Sequence, residues 1–272
     1  MRRGAGSGSW LLAWLALPVL VAAVTVIAIA VHAHQRQLQL GVRLLSSYPQ
    51  NIEADAALVS FAEAQARPLY ASHCAGCHGA DMRGNRAIGA PSLVDGHWIW
   101  GNGSVFQIER ILLYGIRTGQ RKALNVTDMP AFGLMGQLTS GQIDELVQYL
   151  MKLNRQPYDA DAANAGQVLF ASDQYGCYDC HNPDARGDSD YGAPDLTANL
   201  WIYGGSAQTL YNSIFSGRHG VMPGWQGKLS LLQIRALAVY IHERGVHGGE
   251  RPTPANAGAS YPRDAGAADG AD

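Results

Sequence analysis

Two five-residue stretches decide how this chain reads: Cys74-Ala75-Gly76-Cys77-His78 and, 103 residues later, Cys177-Tyr178-Asp179-Cys180-His181. The 272-residue sequence has four cysteines and these stretches use all of them, so none is left for a disulfide framework. The same interval carries Gly89-Ala90-Pro91-Ser92-Leu93 onto Gly192-Ala193-Pro194-Asp195-Leu196, and Trp98-Ile99-Trp100-Gly101 onto Trp201-Ile202-Tyr203-Gly204. Further along, Arg117-Thr118-Gly119 pairs with Arg218-His219-Gly220, and Met129-Pro130 with Met222-Pro223. Landmarks recurring in one order mark a duplicated unit. Arginine and methionine lie 12 residues apart in the first copy and 4 in the second, which places an eight-residue insertion near residues 120–127. An exposed loop tolerates such an insertion at little cost.

Both copies read as all-α. Thr139-x-x-Gln142 and Ser230-x-x-Gln233 are capping boxes, each opening a final helix. Ile143, Leu146, Val147 and Leu150 follow the i, i+3, i+4, i+7 spacing of an amphipathic helix, as do Ile234, Leu237, Ala238 and Ile241. Ser104 and Ser206 are placed to start a middle helix, and a short helix is expected before each cysteine motif. The expected domains are 58–155 and 160–246, joined to the N-terminus by a linker over 33–57 with no clear core face. From residue 247 the tail is rich in Gly, Pro, Ala and Asp and is expected to be disordered.

Residues 10–31 carry no charge, and 22 residues at about 1.5 Å each span a hydrocarbon core of roughly 30 Å. Trp10 and Trp14 sit near one edge, where amphipathic rings favour the interface, and Pro18 is tolerable within a spanning helix. The rival is a cleaved signal peptide, but the apolar run exceeds the roughly 7–15 residues of a signal core. The expectation is a single-pass anchor over 10–32 behind a short cytoplasmic N-terminus, residues 1–9. The net charge is −2, so no basic footprint points to nucleic acid.

Cys-x-x-Cys followed directly by His is the attachment pattern of c-type haem: two thiols form thioethers with the haem vinyl groups, and the histidine reaches the iron. A zinc ribbon pairs cysteine knuckles that lie much closer in sequence than these. A thioredoxin-like redox pair needs a βαβ context, which is absent. The expectation is two haem c groups, attached at Cys74/Cys77 and Cys177/Cys180, with His78 and His181 as axial ligands. Met129 and Met222, each before a proline and at matched positions, are the expected sixth ligands, one for each copy's own haem. Thioether sulfur is a soft ligand that raises the reduction potential. Met82 and Met135 are weaker candidates for the first haem, and His73, His97, His219 and His242 read as surface or supporting histidines. Trp98, Trp100, Trp201 and Tyr203 are expected to wall the pockets, and Arg117 and Arg218 to face haem propionates. In bacteria c-type haem is attached outside the cytoplasmic membrane, so the body is expected in the periplasm, anchored to the inner membrane.

Three motifs carry a family resemblance: Gly192-Ala193-Pro194-Asp195-Leu196, the stretch Leu200 to Gly205, and Gly217-Arg218-His219-Gly220-Val221-Met222-Pro223-Gly224-Trp225. They resemble the second haem domain of the dihaem subunit III of cbb3-type cytochrome c oxidase. Tyr114 to Gly119 and Asp128 to Gly133 resemble its first haem domain, insertion included. The resemblance covers roughly residues 65–245. It implies an all-α fold with one N-terminal transmembrane helix and two tandem cytochrome c domains, not catalytic alone. It also implies electrons taken from a soluble cytochrome c or a quinol–cytochrome c reductase. From there they would pass to a monohaem cytochrome subunit and a haem–copper oxidase subunit. The Trp-rich, Pro-containing lead-in to the membrane helix usual in that family is absent. An alternative is therefore a dihaem carrier for another respiratory complex or a periplasmic dehydrogenase. A dihaem peroxidase would need an open iron position, whereas both copies keep a methionine.

Overall fold

A computed structural model describes residues 9–125 and 127–247; the expected disordered tail beyond residue 247 lies outside the described residues. Among the described residues ten helices run in chain order. They are α1 (Ser9–Ser46), α2 (Pro49–Ile52), α3 (Ala56–His73), α4 (Ala75–His78), α5 (Val105–Tyr114), α6 (Ser140–Leu153), α7 (Ala160–Phe170), α8 (Cys177–His181), α9 (Ala207–Ser216) and α10 (Leu231–His247). Among the described residues only isolated β-bridges occur, and no strand. The expected caps form. Ser104 Oγ accepts from the Gln107 amide and Ser206 Oγ from the Thr209 amide. Thr139/Gln142 and Ser230/Gln233 each close a reciprocal box.

The anchor segment is part of a longer element. Residues 33–46, expected as linker, continue α1 without a break, and α2 and α3 follow almost at once. Leu40, Gly41 and Leu44 share one side of α1 against α3 and α10, and Leu44 is fully buried. Gln35, Gln37 and Gln39 just before it, and Arg43 within it, hid this face. Ile52, in α2, is also fully buried.

The helices sort into two cores that do not follow the continuous segments 58–155 and 160–246. In the first, α10 packs on α3 and α5, with the end of α1 alongside. In the second, α6 packs on α7 and α9. Each copy has therefore handed its final helix to the other. The connection explains half of this: α6 ends at Leu153 and α7 begins at Ala160, and so short a link keeps the two as neighbours. Their contact is close enough that a Cβ on Gly166 would stand 2.0 Å from the Glu145 carbonyl oxygen. Tyr149 and Phe170 pack across it with ring centroids 5.4 Å apart.

Candidate haem-binding site

Each cysteine motif coils into a short helix, so the histidine follows the second cysteine on a tightly wound segment. Cys74 and the flanking Ala75 pack into the first core, Cys177 and Tyr178 into the second. The Nδ1–H of His78 donates to the Pro91 carbonyl at 2.9 Å, and that of His181 to the Pro194 carbonyl at 3.1 Å. A carbonyl only accepts, so both rings carry the proton on Nδ1 and leave the Nε2 lone pair free for a metal. Burial holds both imidazoles below their usual pKa against the opposing pull of the carbonyl, which keeps them neutral. Pro91 and Pro194 were visible as members of the repeated Gly-Ala-Pro, but nothing in the pattern disclosed their acceptor role.

Burial pushes the Cys74 and Cys177 thiols up to about 11, so neither is a ready thiolate at neutral pH. Among the described residues no three of His, Cys, Asp and Glu gather into a metal-holding group of the kind a zinc ribbon uses.

One cavity of about 410 Å³ joins both motifs. All four cysteines, His78, His181, Met129 and Met222 line it, together with Trp98, Trp100, Trp201 and Tyr203. Its size and mostly apolar wall suit a large planar cofactor. Met82 and Met135 do not line it: Met82 is buried in the first core and Met135 is exposed. Among the histidines, His73 and His97 lie at the cavity, with the His73 ring tilted against Trp225, centroids 5.1 Å apart. His219 is turned to Asp128, and His242 bridges the Gly103 carbonyl and Glu53.

The methionines are exchanged along with the helices. Met222 packs against the first core, which contains Cys74, and Met129 against the second, against which Cys177 also packs. Backbone pairing fixes both loops. Met222 and Ile116 exchange N–H···O bonds of 3.1 and 2.9 Å, and Met129 and Arg218 exchange bonds of 3.2 and 3.0 Å. Trp225 donates to the Leu112 carbonyl at 2.8 Å, and Gly133 to that of Phe215 at 3.1 Å. Each methionine thus shares a core with the other copy's first cysteine, not with its own, unlike the same-copy pairing expected from the sequence. Whichever copy's final helix finishes a core brings its own methionine loop with it.

Both arginines line the cavity but in different company. Arg117 is paired with Asp128 at 2.7 Å, bonds the Thr127 and Gly220 carbonyls and lies over the Trp100 ring. Arg218 lies 3.8 Å from the Tyr203 ring centroid and donates to the neutral Ser213 Oγ at 3.0 and 2.8 Å. The Arg117 charge is thus met by a carboxylate, whereas Arg218 is held by a neutral hydroxyl and an aromatic ring.

A family model described as cytochrome C oxidase, cbb3-type, subunit III matches residues 62–150 and 161–241. The chain belongs to this subunit III family. Its relatives include the cbb3-type cytochrome c oxidase subunit FixP of Bradyrhizobium sp. (strain ORS 278), 40% identical over 199 residues, covering 72% of this chain and 65% of that protein. The subunit CcoP of Rhodobacter capsulatus is 42% identical over 202 residues, 71% of this chain and 66% of the relative. CcoP of Cereibacter sphaeroides is 37% identical over 199 residues, 73% and 66%. The subunit III chain thus spans just under two thirds of the length of these curated relatives. Its two matched stretches are cytochrome c domains, and the duplication read from spacing falls on them. Among the described residues, one helix near the N-terminus is long and apolar enough to cross a membrane, consistent with an anchored subunit III.

Proposed function

We propose that the chain is a membrane-anchored dihaem cytochrome that feeds electrons into a cbb3-type terminal oxidase. The observation that carries this is the single cavity onto which two Cys-x-x-Cys-His helices and two Met-Pro loops open. Cys74 and Cys77 hold one haem by thioethers, Cys177 and Cys180 the other. His78 and Met222 grip the first iron, His181 and Met129 the second. The bound haems supply one-electron ferric/ferrous couples. The chain's own residues do the rest. The Pro91 and Pro194 carbonyls hold each imidazole in one tautomer, Met129 and Met222 would supply the second ligand to each iron, and the aromatic walls would exclude water.

The body faces the periplasm of a bacterial inner membrane. Its donor is a soluble cytochrome c or a quinol–cytochrome c reductase, and its acceptors are a monohaem cytochrome subunit and the haem–copper subunit. The names of the relatives support the oxidase assignment. Affinity purification of the tagged chain from its own membranes tests it. Two haems per polypeptide and a co-purifying haem–copper subunit are expected. A colourless polypeptide, or a dihaem chain that never recovers a haem–copper subunit, overturns the proposal.

A further inference from the structure

We infer that Arg235 is a positioning residue that locks the membrane helix to the haem-bearing body, so that residues 32–46 act as a rigid stalk. The uncharged run ends at Val31, yet α1 continues to Ser46, about 20 Å further at 1.5 Å per residue. The far end of this extension is held from several sides. Leu44 is fully buried, and Gly41 faces Leu232 of α10, where an added Cβ would make van der Waals contact at 3.4 Å. Arg235, also on α10, donates from Nη1 to the Leu44 carbonyl at 3.2 Å and the Ser47 carbonyl at 3.1 Å. Its Nε donates to Glu109 Oε2 of α5 at 2.6 Å. Helix ends leave carbonyls without intrahelical donors, and a cation there also complements the helix dipole. The Arg235 and Glu109 side chains are only 13% and 14% exposed, so water screens the pair weakly. One guanidinium thus ties together the stalk, the middle helix and the exchanged final helix.

The duplication supplies an internal control. Aligning the two capping boxes sets Ile143 against Ile234 and therefore Asp144 against Arg235. Aligning Ser104 with Ser206 sets Glu109 against Tyr211. The unit that carries no stalk has neither half of the ion pair, yet it builds the same haem-domain helices. The pair therefore serves the stalk and not the haem fold. Arg43, near the end of α1, adds a second tie to Asp55, whose carboxylate caps α3. Electron transfer slows steeply with distance, so a fixed stalk holds the first unit at one height and orientation over its acceptor. This inference rests on the membrane anchor of the proposed function.

The test uses the full chain in lipid nanodiscs with nitroxides at Gln37→Cys and Gln208→Cys, both exposed positions. Pulsed dipolar spectroscopy then reads the distance between stalk and second unit. Labelling above two nitroxides per chain would show free native cysteines and count against the haem reading, not against the stalk. The parent should give one narrow distance. Arg235→Ala should lose it to a broad distribution with haem content and visible spectrum unchanged. Arg235→Lys, which keeps the charge but not the fork, and Glu109→Gln should each give intermediate widths. A folded, fully haem-loaded Arg235→Ala that keeps the narrow distance overturns the inference. If Arg235→Ala does not fold, narrow distances in both of the other variants overturn it.

Discussion

A Cβ placed on Gly115 would stand 2.3 Å from the carbonyl oxygen of Met222, and one placed on Gly217 would stand 2.5 Å from that of Met129. The two contacts are mirror copies across the duplication. Each joins the glycine ending one copy's middle helix to the methionine of the other copy. Both glycines have positive φ, 78° and 68°, which L side chains adopt only under strain.

Gly115→Ala should therefore displace the Met222 loop, adding about 1 kcal/mol of backbone strain to a clash that only movement relieves. The expected result is a weakened far-red iron–methionine band at the haem of Cys74 and Cys77, with the other haem unchanged. Gly217→Ala should do the converse. Optical spectra of chains in which one cysteine pair has been replaced by serines read each haem alone.

The exchange itself is tested by methionine removal. In a chain with Cys177→Ser and Cys180→Ser, Met222→Ala should abolish the iron–methionine band of the remaining haem, and Met129→Ala should leave it. Loss of the thioether ligand should also lower that haem's potential, on the order of 100 mV. The opposite pattern would restore same-copy pairing.

Leu237 of α10 is fully buried and Leu146 of α6 nearly so, in different cores. Leu237→Ala should cost about 2–5 kcal/mol and Leu146→Ala a similar amount. Thermal melts followed at each haem should show Leu237→Ala weakening the unit of Cys74, although the residue lies in the C-terminal half of the sequence.

Asn154 is buried and donates from Nδ2 to the carbonyls of Leu150 at 2.8 Å and Leu196 at 2.7 Å, joining the end of α6 to the loop beyond Pro194. Asn154→Ala strands at least one buried carbonyl, a loss of about 1–3 kcal/mol. Chemical denaturation should show it in the second unit. An unchanged midpoint there would remove Asn154 from the supports of the His181 loop.

Much of this was legible in the residues. The repeat gave two units, and hydroxyl-x-x-Gln patterns gave helix starts at Thr139 and Ser230. The exchange was not legible, for a physical reason. Ile143, Leu146 and Leu150 on α6 and Ile234, Leu237 and Ile241 on α10 present nearly the same apolar face, so either helix suits either core. The one available signal was the short link from Leu153 to Ala160, which makes α6 a neighbour of the helix that follows it. The stalk was hidden differently: Leu40, Gly41 and Leu44 lie among glutamines and arginines that read as solvated linker.

The placement of α10 also bears on biosynthesis. The first half of the protein is completed by α10, which follows α7, α8 and α9 in the chain, so it cannot close while the second half is still emerging. Until then the Cys74 segment stays an open polypeptide. An enzyme that must join haem to thiols before folding buries them is thereby given the longest time at the site that is translated first.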